Sequence, residues 1–157
     1  MGFLTWLQES WLGRLVAESL WGYPLLETLH TLGMALLIGA LGLVNLRVLG
    51  YKPELPMLGI RDLLPLAWLG FTINALSGIA LFTSDAVYFF ESWTFRTKMA
   101  LIALGGINAA LLGARVFREA ADGADAAPGP AVRWIAASSL VLWVGAIVAG
   151  RLIAYGP

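Results

Sequence analysis

Cysteine is absent from the chain, which excludes disulfides, thiolate metal sites and cysteine nucleophiles. Charge is scarce too. Only 13% of the 157 residues are charged, against roughly a quarter in an ordinary soluble domain. Ten basic residues balance ten acidic ones, so no global charge points to nucleic acid. Histidine occurs once, at position 30. There is no phosphate-binding glycine loop, no nucleophile–base–acid triad and no carboxylate pair of the glycosidase kind. Asp122 and Asp125 fall in a small, acidic, Pro/Gly-bearing stretch, 119–131, that reads as a mobile connection.

What remains is oil. Hydrophobic residues make up 59% of the chain and mean hydropathy is +0.79. A soluble domain of this size cannot hide that much apolar surface. A bilayer-spanning helix needs roughly 20 mostly apolar residues, and the apolar runs predict four such helices, over 24–48, 63–82, 95–117 and 132–155. Ahead of them, 3–20 has Phe3, Leu4, Leu7, Trp11, Leu12, Leu15 and Val16 at helical spacing, with Gln8, Glu9, Arg14 and Glu18 opposite. That pattern predicts an amphipathic helix in the interface or against the bundle end. It is not a standard signal peptide, because the start lacks basic residues and the apolar run is interrupted. The expected fold is a single all-α integral membrane domain over 1–157, a four-transmembrane-helix bundle with an N-terminal interfacial helix. Tyr88, Phe89, Phe90 and Trp93 are expected to form an aromatic interfacial loop.

Four antiparallel spans put both termini on one side. The opposite side carries Arg47, Lys52, Arg61, Arg115, Arg118 and Arg133, the terminal side Arg14, Arg96, Lys98 and Arg151. The positive-inside tendency then predicts a cytoplasmic loop side and outward-facing termini. This topology gathers distant residues. His30 lies six residues past Pro24, roughly 9 Å along the helix at 1.5 Å per residue. Glu27, Asp85, Arg96, Lys98 and Arg151 share its outer layer of the membrane.

An imidazole and a carboxylate inside an oily helix each need a partner, a cofactor or water. Two accounts of the layer stand side by side. In one, Glu27 pairs with Lys98 or Arg151, and His30 hydrogen-bonds a backbone carbonyl across the bundle. In the other, His30 ligates a cofactor or ion, with Gly33, Met34, Leu37 and Leu41 as an apolar wall gapped at Gly33 for a macrocycle. Arg96, Lys98 and Arg151 would then meet acidic propionates at the ring's edge, since histidine serves as a proximal haem ligand.

Two segments, HTLGMALLIGALGLVNLRVLG (30–50) and SGIALFTSDAVYFFESWTFRTKMALIALGGINAALL (77–112), resemble a family of small bacterial four-span membrane proteins. More distantly they are similar to the membrane domain of copper-resistance D-type proteins and to the oxygen-independent membrane protoporphyrinogen oxidases, which bind haem b. The matching positions are His30, Phe95 or Trp93, and Lys98. The resemblance implies a bacterial inner membrane and haem b, with a redox role linked to a tetrapyrrole or quinone, and a haem-dependent oxidoreductase activity is compatible with it. One histidine rules out bis-histidine ligation within one chain, so the iron is five-coordinate, takes Met99 or Met57, or is shared across a homo-oligomer. Expected partners are the bilayer and a quinone or redox protein. The competing readings are transport of copper or a small solute past Gly70, Asn74, Ser77 and Asn108, and an accessory subunit of a larger membrane complex. Copper suffers from the shortage of methionine, histidine and cysteine ligands.

Overall fold

The structure, a computed structural model, describes residues 2–51, 53, 54, 56, 62–121 and 128–155, with 116–121 described as backbone alone. Every element among them is helical: α1 (Gly2–Gln8), α2 (Trp11–Glu18), α3 (Gly22–Val48), α4 (Leu64–Ser84), α5 (Ala86–Glu91), α6 (Trp93–Ala121) and α7 (Pro130–Leu152), followed by a 3₁₀ turn, Ile153–Tyr155. Four helical stretches, Gly22–Val48, Leu64–Ser84, Trp93–Arg115 and Pro130–Tyr155, are long and apolar enough to cross a bilayer. The protein is an all-α, multi-pass membrane bundle.

The single helix expected over 3–20 is broken. Ser10 takes an extended conformation and its Oγ accepts from the Gly13 amide at 3.1 Å, which starts α2 as a separate helix. The aromatic loop is also corrected: Tyr88, Phe89 and Phe90 belong to α5, and Trp93 opens α6. α6 runs on to Ala121 rather than ending at 117, and α7 begins at Pro130, where a missing amide proton costs nothing. Lys52, Met57, Arg61, Asp122 and Asp125 lie outside the described residues.

The spans form two hairpins. α3 packs along α4, α6 packs along α7, and a shorter α3–α7 contact joins the pairs. Comparable packing between α4 and α6 is absent among the described residues. The α3–α4 seam is tight because glycines face each other. A Cβ on Gly33 would lie 2.6 Å from the Asn74 amide nitrogen and 2.8 Å from the Gly70 carbonyl oxygen. One on Gly70 would lie 2.6 Å from the Leu37 nitrogen. Small residues are what let two membrane helices approach this closely, where lipid competes equally for apolar side chains.

The joint between the pairs holds the core. Leu37, Ala40, Ala67 and Trp143 form one cluster, and Val44, Val48, Leu112, Val132 and Ala136 another. Between them Asn45 Nδ2 donates to Ser139 Oγ at 3.0 Å, both residues fully buried. The two short N-terminal helices brace one end of the bundle: α2 lies against α4 and α1 against α5.

Candidate functional site around His30

His30 sits on α3 with its ring turned toward α4. Nδ1 donates to the backbone carbonyl of Asn74 at 2.9 Å, with Ser77 Oγ a second acceptor at 3.2 Å. A carbonyl can only accept, so this bond fixes the proton on Nδ1 and leaves the lone pair on Nε2. Asn74 returns the contact, its Nδ2 donating to the His30 carbonyl at 2.8 Å. Ser77 Oγ in turn donates to the Ile73 carbonyl at 2.6 Å. The imidazole fits because position 78 is glycine: a Cβ there would lie 3.0 Å from His30 Cε1. Ring, amide and hydroxyl therefore lock two helices and one tautomer together.

The other side of the ring faces a cavity of about 370 Å³ in the gap between the two hairpins, at the end nearer α5 and the Ile153–Tyr155 turn. Its inner part is built by His30, Gly78, Phe82, Phe95, Lys98 and Gly150. Tyr23, Glu27, Asp85 and Arg151 stand exposed at its rim. Phe82, Phe89 and Phe95 form one aromatic cluster, with the Phe82 and Phe95 rings stacked at 5.5 Å. Lys98 is half-buried, and its stem lies along Gly150, where a Cβ would come within 3.4 Å of Cδ and Cε. Tyr88 closes the rim by donating from its hydroxyl to the Ile153 carbonyl at 3.0 Å.

Both Glu27 and Lys98 are within electrostatic reach of the imidazole. Neither carboxylate of the rim forms a salt bridge with Lys98 or Arg151 among the described residues. The expected ionic stitching is thus half realised. His30 has its carbonyl, while the Lys98 ammonium faces the cavity with its donors unspent. A cation held inside a membrane span without a counter-charge is costly.

Of the residues expected at a cofactor, His30, Glu27, Lys98 and Arg151 come together here. Three do not. Gly33 is no slot for a ring, because the α4 backbone fills the space its missing side chain leaves. Arg96 turns to α5, its Nε donating to the Phe90 carbonyl at 2.8 Å and its guanidinium 5.4 Å from the Phe90 ring centre. Met99 is 48% exposed and lies off the cavity lining, so it does not reach the His30 site. The expected solute route is divided as well. Gly70 and Asn74 are used in the α3–α4 seam, and Asn108 Nδ2 donates to Ser138 Oγ at 2.8 Å within the α6–α7 pair. No three histidine or carboxylate groups converge as a metal cage among the described residues.

Sequence reasoning missed Phe82 and Gly150 as cavity residues, had Phe95 only through the resemblance, and did not assign Gly78 to His30. A usable signal existed for Gly78, since it follows Ser77 and Asn74 on the α4 face that an antiparallel neighbour places opposite His30. No family model, curated protein or solved structure matches the chain.

Proposed function

We propose that the protein is a small membrane haem b-binding protein with a redox role, the iron held by Nε2 of His30. One observation carries the reading. His30 is oriented by donation from Nδ1 to a backbone carbonyl, its Nε2 is left without a hydrogen bond among the described residues, and its ring lines a cavity that Lys98 lines too. Metal-binding histidines characteristically have their second ring nitrogen tied in this way, which fixes the tautomer and raises the basicity of the ligating nitrogen. Lys98 and Arg151 supply cations for the propionates, and Phe82 and Phe95 supply a flat apolar flank. The resemblance of His30 and Lys98 to paired positions in haem-binding membrane oxidases agrees with this.

When bound, haem would bring one-electron chemistry, with the potential set by its axial ligand and surroundings. The chain itself contributes position. Asn74 and Ser77 hold the imidazole, Gly78 makes room for its edge against α4, and Phe82, Phe89 and Phe95 give the cavity an apolar wall. Among the described residues His30 is the one histidine that lines the cavity and no methionine does, so His30 would be the residue of this cavity to hold the iron. The residues fit the group in ligand, cations and aromatic wall. A ring held by His30 would have the gap between the hairpins open to it, since the space beside Gly33 is filled by the α4 backbone.

The site belongs to the outer half of the membrane, with both termini outside, in accord with the excess of basic residues on the loop side. Labelling of a cysteine placed at residue 2 only from the cytoplasmic side would reverse that orientation. The test of function is a visible-light spectrum. Protein purified from haem-replete cells should show a Soret band, and His30→Ala should abolish it with helix content unchanged. A colourless wild-type protein would end the proposal.

A further inference from the structure

The mouth of the His30 cavity is framed by two pieces of chain that are held very differently. On one side stands α5, which contributes Tyr88 and Phe89 to the lining. It is fixed at several points. Ala86 at its start and Ser92 just past its end are both fully buried. The Val87 amide donates to Gln8 Oε1 of α1 at 3.5 Å, and the Phe90 carbonyl accepts from Arg96. Phe89 is packed into the cluster with Phe82 and Phe95. On the other side is the 3₁₀ turn Ile153–Tyr155, which contributes Ile153 and Ala154. None of its three residues is buried, and Tyr155 is 77% exposed. Among the described residues, one hydrogen bond ties this turn to anything beyond α7. It is the bond that the Ile153 carbonyl accepts from the Tyr88 hydroxyl.

We propose that the Ile153–Tyr155 turn is a flap over the mouth of the His30 cavity and that Tyr88 is its latch. With the bond made, Ile153 and Ala154 stand over the mouth. With it broken, the turn swings on the end of α7 and exposes the groups behind it, Lys98 among them. Segments with few buried contacts open first, while the rest of a fold stays native. Here that segment is the turn, and α5 is the frame it shuts against. The latch is aimed in advance, because the Tyr88 ring packs edge to face on Phe89 at 5.7 Å. Its strength also suits the task. One neutral hydrogen bond shifts a closed-to-open balance only about fivefold, enough to bias it and little enough to break thermally. The flap governs access to the cavity whatever fills it, so this inference goes beyond the haem reading and does not need haem to be bound.

The chain has two lysines, which makes the test internally referenced. Full-length protein in nanodiscs is pulsed with a water-soluble N-hydroxysulfosuccinimide ester, and acylation of Lys98 relative to Lys52 is read by mass spectrometry. Tyr88→Phe keeps the ring contact with Phe89 and removes the donor, and should raise the ratio about fivefold. Tyr155→Phe takes a hydroxyl from the same turn but not from the latch, and should leave the ratio unchanged. The absence of native cysteine allows a test in the opposite direction. A short bis-maleimide joining Tyr88→Cys to Ala154→Cys should pin the turn to α5 and push the ratio below wild type. An unmoved ratio in Tyr88→Phe would overturn the proposal, as would an equal rise in Tyr155→Phe or no fall on cross-linking. The Soret band is read on the same samples. Its absence with the ratio responding retires the haem reading alone, and its presence with the ratio unmoved retires the flap alone.

Discussion

The two helix pairs are hairpins of similar length held together in different ways. In α3–α4, glycine faces backbone at Gly33 and Gly70, and His30 and Asn74 exchange hydrogen bonds across the seam. In α6–α7, side chains mediate the contact. Gly105 receives the Trp143 ring, with a Cβ position 3.2 Å from Cε2, Gly145 receives Leu101, and Asn108 reaches Ser138. The first pair is therefore a rigid mount for one imidazole. The second is a wall whose α6 residues border both the His30 cavity and the apolar cavity lined by Trp68, Phe71 and Trp143. A hydrophobic seam in lipid gains little from burial, so close packing and hydrogen bonds decide how firmly each pair holds.

The sharpest way to break this contrast is Gly70→Leu. The new side chain has only the α3 backbone to enter, and the variant should lose about 3 kcal/mol, read as a fall in the midpoint of denaturant or thermal unfolding. Survival with wild-type stability would show that the seam is not the rigid one. Next in size is a matched pair of amide removals. Asn74→Leu should cost about 1 kcal/mol, within the spread measured for interhelical hydrogen bonds in membranes, and should shift the His30 ring resonances in a nuclear magnetic resonance spectrum. Asn108→Leu should cost about 0.6 kcal/mol and leave those resonances in place. Equal shifts from both would remove the assigned difference between the pairs. Smallest are two neighbouring alanines. Gly105→Ala must displace the Trp143 ring and should lower stability measurably, whereas Gly106→Ala points into open space and should stay within about 0.5 kcal/mol of wild type.

The spans were legible because length and apolarity alone specify them in a bilayer. The interfacial break at Ser10 was not, since periodicity runs through it and only the cap geometry marks a second start. At the candidate site, depth was readable and direction was not. Arg96, Lys98 and Met99 enter α6 within one turn, yet a helix rotates about 100° per residue, so only Lys98 faces the cavity. Gly33 illustrates a different limit. A glycine signals that something comes close, and its own helix cannot say whether that is a ligand or another backbone. Gly70, 37 positions along the chain, holds the answer.

The short α3–α7 contact carries a consequence of its own. Among the described residues it is the main backbone contact between the hairpins and acts as the spine of a half-open book, with α4 and α6 as the facing pages, touching at the Phe82–Phe95 stack, and the Tyr88–Ile153 bond a clasp at one corner. Asn45 and Ser139 meet at that spine, so a change of girth there is expected to alter the His30 cavity and the apolar one lined by Trp68, Phe71 and Trp143 together, although neither residue touches them.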